Sequence, residues 1–190
     1  NGIALSDIPL SILPLGTTNV LAKELAMPED INAALESAVS KTPKTISLGQ
    51  IELISDSSSV SRYFCLMTGV GFDAKTVFDV NKTIKKLSGK SAYILSGLKN
   101  LFSYFPNKLF FKIDGKEYSG YAAIIGKASR YGGNFRATPD ANLAEPAFYT
   151  CIFKGGNRSD LLRYVLGIIR GDHLKHKDII YLKSADIEIQ

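Results

Sequence analysis

The stretch Lys108-Leu109-Phe110-Phe111-Lys112-Ile113-Asp114-Gly115-Lys116-Glu117-Tyr118-Ser119-Gly120-Tyr121-Ala122-Ala123-Ile124-Ile125-Gly126 decides the fold. Two apolar runs, Lys108 to Ile113 and Tyr118 to Gly126, flank Asp-Gly, the dipeptide that suits a tight turn between antiparallel strands. Outward from this hairpin the same language continues. Phe148 to Lys154 reads as a strand, Ile179 to Gln190 as one or two strands, and Arg62 to Thr68 as another. Ile46, Leu48, Ile51 and Leu53 suggest a strand or bent hairpin. Ser159 to Arg170 has helical spacing, with Leu161, Leu162, Val165 and Ile168 expected to face inward. Helices are also expected over about 73–87 and 91–104, divided by Ser88-Gly89, and Tyr131 to Asn134 reads as a loop.

The first 43 residues speak differently. Ile8 to Leu15 is a short apolar run read as a buried strand, Gly16-Thr17-Thr18-Asn19 a polar turn, and Val20, Leu21, Ala22, Leu25 and Ala26 fall on helical spacing. Pro28-Glu29-Asp30 opens a second helix, with Ile31, Ala34, Leu35 and Ala38 as its apolar face. Thr42-Pro43 ends it. The class is therefore α+β: a mostly antiparallel, β-sandwich-like domain with peripheral helices over 44–190, preceded by a remnant of an α/β nucleotide-binding domain over 1–43.

Composition narrows the function. Hydrophobic residues make up 45% of the 190 and charged residues 22%, which suits a globular fold and not a disordered one. No apolar run reaches the roughly 18 residues of a membrane-spanning helix. Cys65 and Cys151 lie in apolar strand-like runs, so a disulfide scaffold is not expected, and a cytoplasmic, reducing setting fits. The net charge of +5 is unevenly distributed: −4 over residues 1–60, +9 over 61–136 and zero over 137–190. Between Asp79 and Asp114 no acidic residue occurs, while Lys82, Lys85, Lys86, Lys90, Lys99, Lys108 and Lys112 do. These lysines are interleaved with Leu87, Tyr93, Ile94, Leu98, Leu101 and Phe102, a mixture suited to an anionic membrane surface. It can equally be a solvated lysine face over an ordinary core. Nucleic acid is disfavoured, because arginine is nearly absent from the stretch and no nucleic-acid module occurs.

Three motifs could carry chemistry. In the Gly16–Asn19 turn, glycine permits close approach, and amides with two hydroxyls suit a phosphate; an ordinary capped helix is the plainer alternative. No Gly-Lys-Thr follows, so it is not a P-loop. Gly69-Val70-Gly71-Phe72-Asp73 reads as a break with one carboxylate offered, or simply a helix cap. His173 and His176 have zinc-like spacing but no apparent further ligands, and read as residues of a solvated loop.

In order, Pro14-Leu15-Gly16-Thr17-Thr18-Asn19-Val20-Leu21-Ala22, Gly69-Val70-Gly71-Phe72-Asp73-Ala74, Gly89-Lys90-Ser91-Ala92-Tyr93, Asp114-Gly115, and Tyr131-Gly132-Gly133 with Pro139-Asp140-Ala141 resemble the bacterial diacylglycerol kinase-like lipid kinases. Sphingosine kinases and, more distantly, NAD kinases are relatives. The resemblance implies a cleft between a nucleotide-binding domain and a β-sandwich, in which the γ-phosphate of ATP passes to a lipid hydroxyl with Mg2+. It implies that Gly16, Thr17, Thr18 and Asn19 meet the nucleotide and that Asp73 supports the metal and water network of the cleft. The implied partners are a lipid substrate and an anionic membrane met peripherally by Lys82, Lys85, Lys86, Lys90 and Lys99, without nucleic acid; a homo-oligomer stays open.

Two departures stand out. Family members commonly have Asp where this chain has Val20, and Asp-Gly where it has Glu145-Pro146. In the family that Asp, with the carbonyls three before and two after, holds a structural magnesium; the corresponding positions are Asn142, Glu145 and Ala147. The chain opens on Asn1 and stops on an alternating run without a turn, so both ends read as cuts. The family's Gly-Gly-Asp-Gly-Thr signature is expected before Asn1 and its catalytic base beyond Gln190, with no catalytic residue within the chain and the fragment inactive by itself. A non-catalytic lipid- or nucleotide-binding module of the same fold, and an NAD kinase-like phosphotransferase, are the alternatives.

Overall fold

The computed structural model describes residues 2–55, 58–71 and 107–190. Asp73, the lysines Lys82, Lys85, Lys86, Lys90 and Lys99, and the two helices expected over 73–87 and 91–104 lie outside the described residues.

The Asp114-Gly115 reading holds. Strands β4 (Leu109–Ile113) and β5 (Lys116–Gly120) pair antiparallel across it, and both turn residues have positive φ, 46° and 79°. Such a turn matches the right-handed twist of the strands it joins. β11 (Ile187–Ile189) adds to β4, giving a three-stranded sheet ordered β11-β4-β5. The chain then changes sheets at Gly120-Tyr121. A Cβ on Gly120 would lie 2.6 Å from Ile152 Cγ2 and 2.7 Å from the Phe153 oxygen, so only glycine passes there.

The second sheet has four antiparallel strands in the order β10-β9-β6-β3: Ile179–Ser184, Phe148–Phe153, Ala122–Gly126 and Met67–Gly71. β6 is buried at every position, because both faces of this sheet are covered. Ala123, Ile125 and Ile152 point toward Phe111 and Ile113 of the other sheet and form the sandwich core. Ala122, Ile124, Cys151 and Phe153, on the opposite face, meet Leu161 and Tyr164 of helix α3 (Arg158–Arg170). The alternating pleat thus sends successive residues into two different cores. Both cysteines are free, Cys151 being fully buried.

Helix α3 starts at Asn157, whose side chain accepts from the Asp160 amide, and stops at Gly171 in the left-handed conformation. Its inward face is Leu161, Tyr164 and Gly167, with Val165 and Ile168 partly buried; Leu162, expected inside, is exposed. The reason is phase. Tyr164 occupies the inward position next to Leu161, and its hydroxyl donates to Asp178 and accepts from the Gly155 amide.

Several other expectations give way. β1 (Gly49–Ser55) and β2 (Ser58–Phe64) form a separate two-stranded hairpin, and the run expected from Arg62 to Thr68 is broken at Cys65-Leu66. Gly69-Val70-Gly71 does not break a strand but completes β3, pairing with Ile124, Ala123 and Ala122. Tyr131–Asn134 is not wholly a loop, since β7 (Arg130–Gly132) and β8 (Phe135–Arg136) pair around Gly133. Ile8 to Leu15 forms no strand, and Leu10 is 69% exposed. Two prolines remove ladder donors there, and no described strand pairs with it. Helix α1 (Val20–Glu24) forms but stops short of Leu25 and Ala26, the latter in the left-handed region at φ 52°. Helix α2 (Ile31–Ser40, capped by Asp30) forms as expected. On α2, however, Ala34 is buried while Ile31, Leu35 and Ala38 are exposed.

Candidate functional site

The Gly16–Asn19 turn is closed by its own asparagine. Asn19 sits in the left-handed region at φ 46°, accepts from the Gly16 amide at 2.7 Å and donates to the Pro14 carbonyl at 2.8 Å. It caps no helix amide with its side chain, unlike the ordinary capping role. Gly16 is required by this closure, because a Cβ would lie 2.9 Å from Asn19 Oδ1. Asn19 is thus engaged in shaping the turn. Thr17 is exposed and Thr18 half-exposed, and threonine hydroxyls with main-chain amides are donors whose chemistry fits phosphate oxygens.

The turn is held against the sandwich by Glu24, at the end of α1. Its carboxylate accepts from the Ser129 amide (2.8 Å), the Ser129 hydroxyl (3.1 Å) and the Arg130 amide (3.3 Å), and lies 3.8 Å from Arg130 Nε. Only a tenth of the side chain is exposed. Sequence reasoning missed Glu24, because a helical Glu looks like an ordinary solvated charge.

Lys127 was missed as well, although a lysine directly after the apolar Ala122–Gly126 strand is a legible signal. It is 1% exposed. Its ammonium donates to Ser47 Oγ at 2.6 Å, to the Ala147 carbonyl at 3.0 Å and to the Glu145 carbonyl, and lies 5.9 Å from the Phe148 ring centroid. Burial pushes its pKa down, while the nearby Glu145 charge opposes that shift. Ser47 also joins the loop directly, through its amide to the Leu143 carbonyl (2.8 Å) and its hydroxyl to the Glu145 carbonyl (2.8 Å). The segment leading into β1 is thereby tied to the loop 142–147.

His173 is not on a solvated loop. It lies in a short 3-10 turn (His173–Lys175), is 1% exposed, and its Nε2 donates to the Ala137 carbonyl at 2.9 Å. Gly167 makes room: a Cβ there would sit 3.0 Å from the His173 Cα. Burial lowers the His173 pKa, against the hydrogen bond to Ala137 and the charge of Asp172. No group of three or more metal-ligating side chains occurs among the described residues. Nearby, Asp178 meets Arg163 Nη1 at 2.9 Å and Nη2 at 2.5 Å, together with the Tyr164 hydroxyl at 2.5 Å. The Arg163 guanidinium holds the Asp178 carboxyl well below the usual carboxylate range.

Residues 67–190 match the family described as the YegS C-terminal NAD kinase beta sandwich-like domain, and residues 1–51 match the diacylglycerol kinase catalytic domain. A diacylglycerol kinase of Bacillus subtilis (strain 168) is 29% identical over 194 residues, covering all of this chain and 61% of its own length. A diacylglycerol kinase of Staphylococcus aureus (strain JH9) is 26% identical over 182 residues, covering 95% of this chain and 55% of its own length. The chain therefore spans little more than half the length of these relatives. A crystal structure of a diacylglycerol kinase from Bacillus anthracis (strain Sterne) superposes with a TM-score of 0.63 at 18% identity, over 96% of this chain and 57% of the other.

Proposed function

We infer the function from the family to which this chain belongs, the bacterial diacylglycerol kinase-like lipid kinases with an NAD kinase-like β-sandwich domain. The chain is the lipid-substrate domain, over 44–190, together with the closing part of the nucleotide-binding domain, over 1–43. The whole protein passes the γ-phosphate of ATP to the hydroxyl of a diacylglycerol-like lipid. The observation that carries this reading is the Gly16–Asn19 turn, whose exposed threonine side is held to the sandwich by Glu24.

In this reading Thr17 and Thr18, with their amides, bind and orient the nucleotide phosphates. Phosphoryl transfer is governed by positioning and charge neutralisation, and the Mg2+ that accompanies ATP supplies the latter. Asn19 and Gly16 fix the turn, and Glu24 fixes the turn against the acceptor domain. The acid-free lysine stretch around Lys82–Lys99 meets an anionic membrane peripherally and presents the lipid, and Asp73 belongs to the cleft. The general base is supplied by residues outside this chain, so the 190 residues alone do not turn over.

The test is a radiolabelled ATP assay of the full-length protein against a lipid panel, with Thr17→Val alongside. Label is expected in a phosphorylated diacylglycerol, reduced in the variant. Robust phosphorylation of diacylglycerol by the 190 residues alone would refute the placement of the base outside them. Liposome sedimentation checks the membrane face, since binding should need anionic lipid and weaken with salt.

A further inference from the structure

The family resemblance assigns a structural magnesium to Asn142, Glu145 and Ala147, and the fold answers with a different cation. Each assigned ligand already has a partner. The Asn142 carbonyl accepts from the Glu145 amide at 3.1 Å. The Glu145 carboxylate pairs with Lys183 Nζ at 2.8 Å. The Ala147 carbonyl accepts from Lys127 Nζ at 3.0 Å, and the same ammonium takes the Glu145 carbonyl. A magnesium ion requires oxygens at about 2.0–2.1 Å in near-octahedral array. An ion that close to the Ala147 oxygen would crowd an ammonium already in contact with it, and the two positive charges would repel in a buried setting. These residues do not fit the metal.

We propose that Lys127 is the resident cation of the 142–147 loop, an ammonium on a β-strand's end that closes this loop onto Ser47 in place of a structural magnesium. Three features support it. The ammonium has three oxygen acceptors, the number an ammonium can satisfy. It is buried, so the contact is not a chance surface pairing. One acceptor, Ser47, lies 80 residues away in sequence, so the clip joins the segment entering β1 to the loop preceding β9. Lys183 completes the substitution by neutralising the carboxylate that would otherwise attract a metal. The consequence is a loop whose stability does not depend on divalent cations, whatever magnesium accompanies a nucleotide elsewhere. This inference does not rest on the kinase reading, because it concerns stability and not phosphoryl transfer.

The test is thermal unfolding of the full-length protein without nucleotide, in EDTA and in millimolar MgCl2, for the wild type, Lys127→Met and Lys127→Ala. The wild-type midpoint should agree between the two conditions to about 1 °C, as no site gains ligand-linked stability. Lys127→Met keeps the apolar stem but orphans the acceptors, and should lower the midpoint by about 5–10 °C. Lys127→Ala should recover part of its loss in ethylammonium, which returns the ammonium to the vacated space. A wild-type midpoint that rises by several degrees in MgCl2, with the rise abolished by Glu145→Gln, would overturn the proposal. So would a Lys127→Met midpoint equal to that of the wild type. Should both Lys127 variants fail to fold, the wild-type comparison still decides.

Discussion

Replacing Glu24 by alanine tests whether the Gly16–Asn19 turn is fixed to the sandwich by one buried carboxylate. That side chain takes three hydrogen bonds from Ser129 and Arg130 and is a tenth exposed. Alanine would leave two main-chain amides without acceptors; the Ser129 hydroxyl can rotate away. A buried donor left unpaired costs about 1–3 kcal/mol, so the loss should be roughly 2–5 kcal/mol. Helix α1 has five residues, too few to persist without tertiary support. At ~2–4 °C per kcal/mol for a chain of this size, the midpoint should fall by about 5–15 °C. Glu24→Gln keeps one carbonyl acceptor and should lose about half as much. Urea titrations give the free energy and the slope. A Glu24→Ala variant within about 0.5 kcal/mol of wild type, the ordinary range for surface substitutions, would refute the latch.

Acid should weaken the fold in two windows. His173 has a folded pKa below its unfolded value of about 6.5, so its contribution is complete above that pH and declines as pH falls. Asp178, also depressed, adds a second loss below about pH 4; urea midpoints against pH check both, and His173→Gln should flatten the first. Gly126→Ala places a Cβ 2.0 Å from the Thr138 hydroxyl oxygen, whereas at Gly132 a Cβ meets nothing within 4 Å. The first should cost about 1–3 kcal/mol and the second little, measured by the same titrations. Burial pushes the Cys151 thiol up to about 12, while Cys65 is partly accessible. A thiol reagent should therefore label Cys65 alone in the native protein and both after unfolding.

What could be read from sequence followed from local rules. Asp114-Gly115 dictates a hairpin, and the apolar runs over Phe148–Phe153 and Ile179–Leu182 read as strands, which pair with each other. Ile8–Leu15 failed because an apolar run containing prolines is a strand only if a neighbour pairs with it, and pairing is non-local. Leu162 failed because a helix's inward face is set by what it meets: Tyr164 finds Asp178 and Gly155, which are invisible from helical spacing. The site was half legible. The turn Gly16–Asn19 was visible, but that Asn19 would close it upon Pro14 depends on a left-handed backbone at one residue. Glu24 and Lys127 work through partners 105 and 80 residues distant, respectively. No local pattern announces such pairings.

The most direct measurement is transfer of radiolabel from ATP to diacylglycerol by the full-length protein in anionic mixed micelles. The expected result is label in a phosphorylated lipid, reduced by Thr17→Val at unchanged folding stability. Label appearing in NAD and in no lipid, or no transfer to any lipid in the panel, would contradict the assignment.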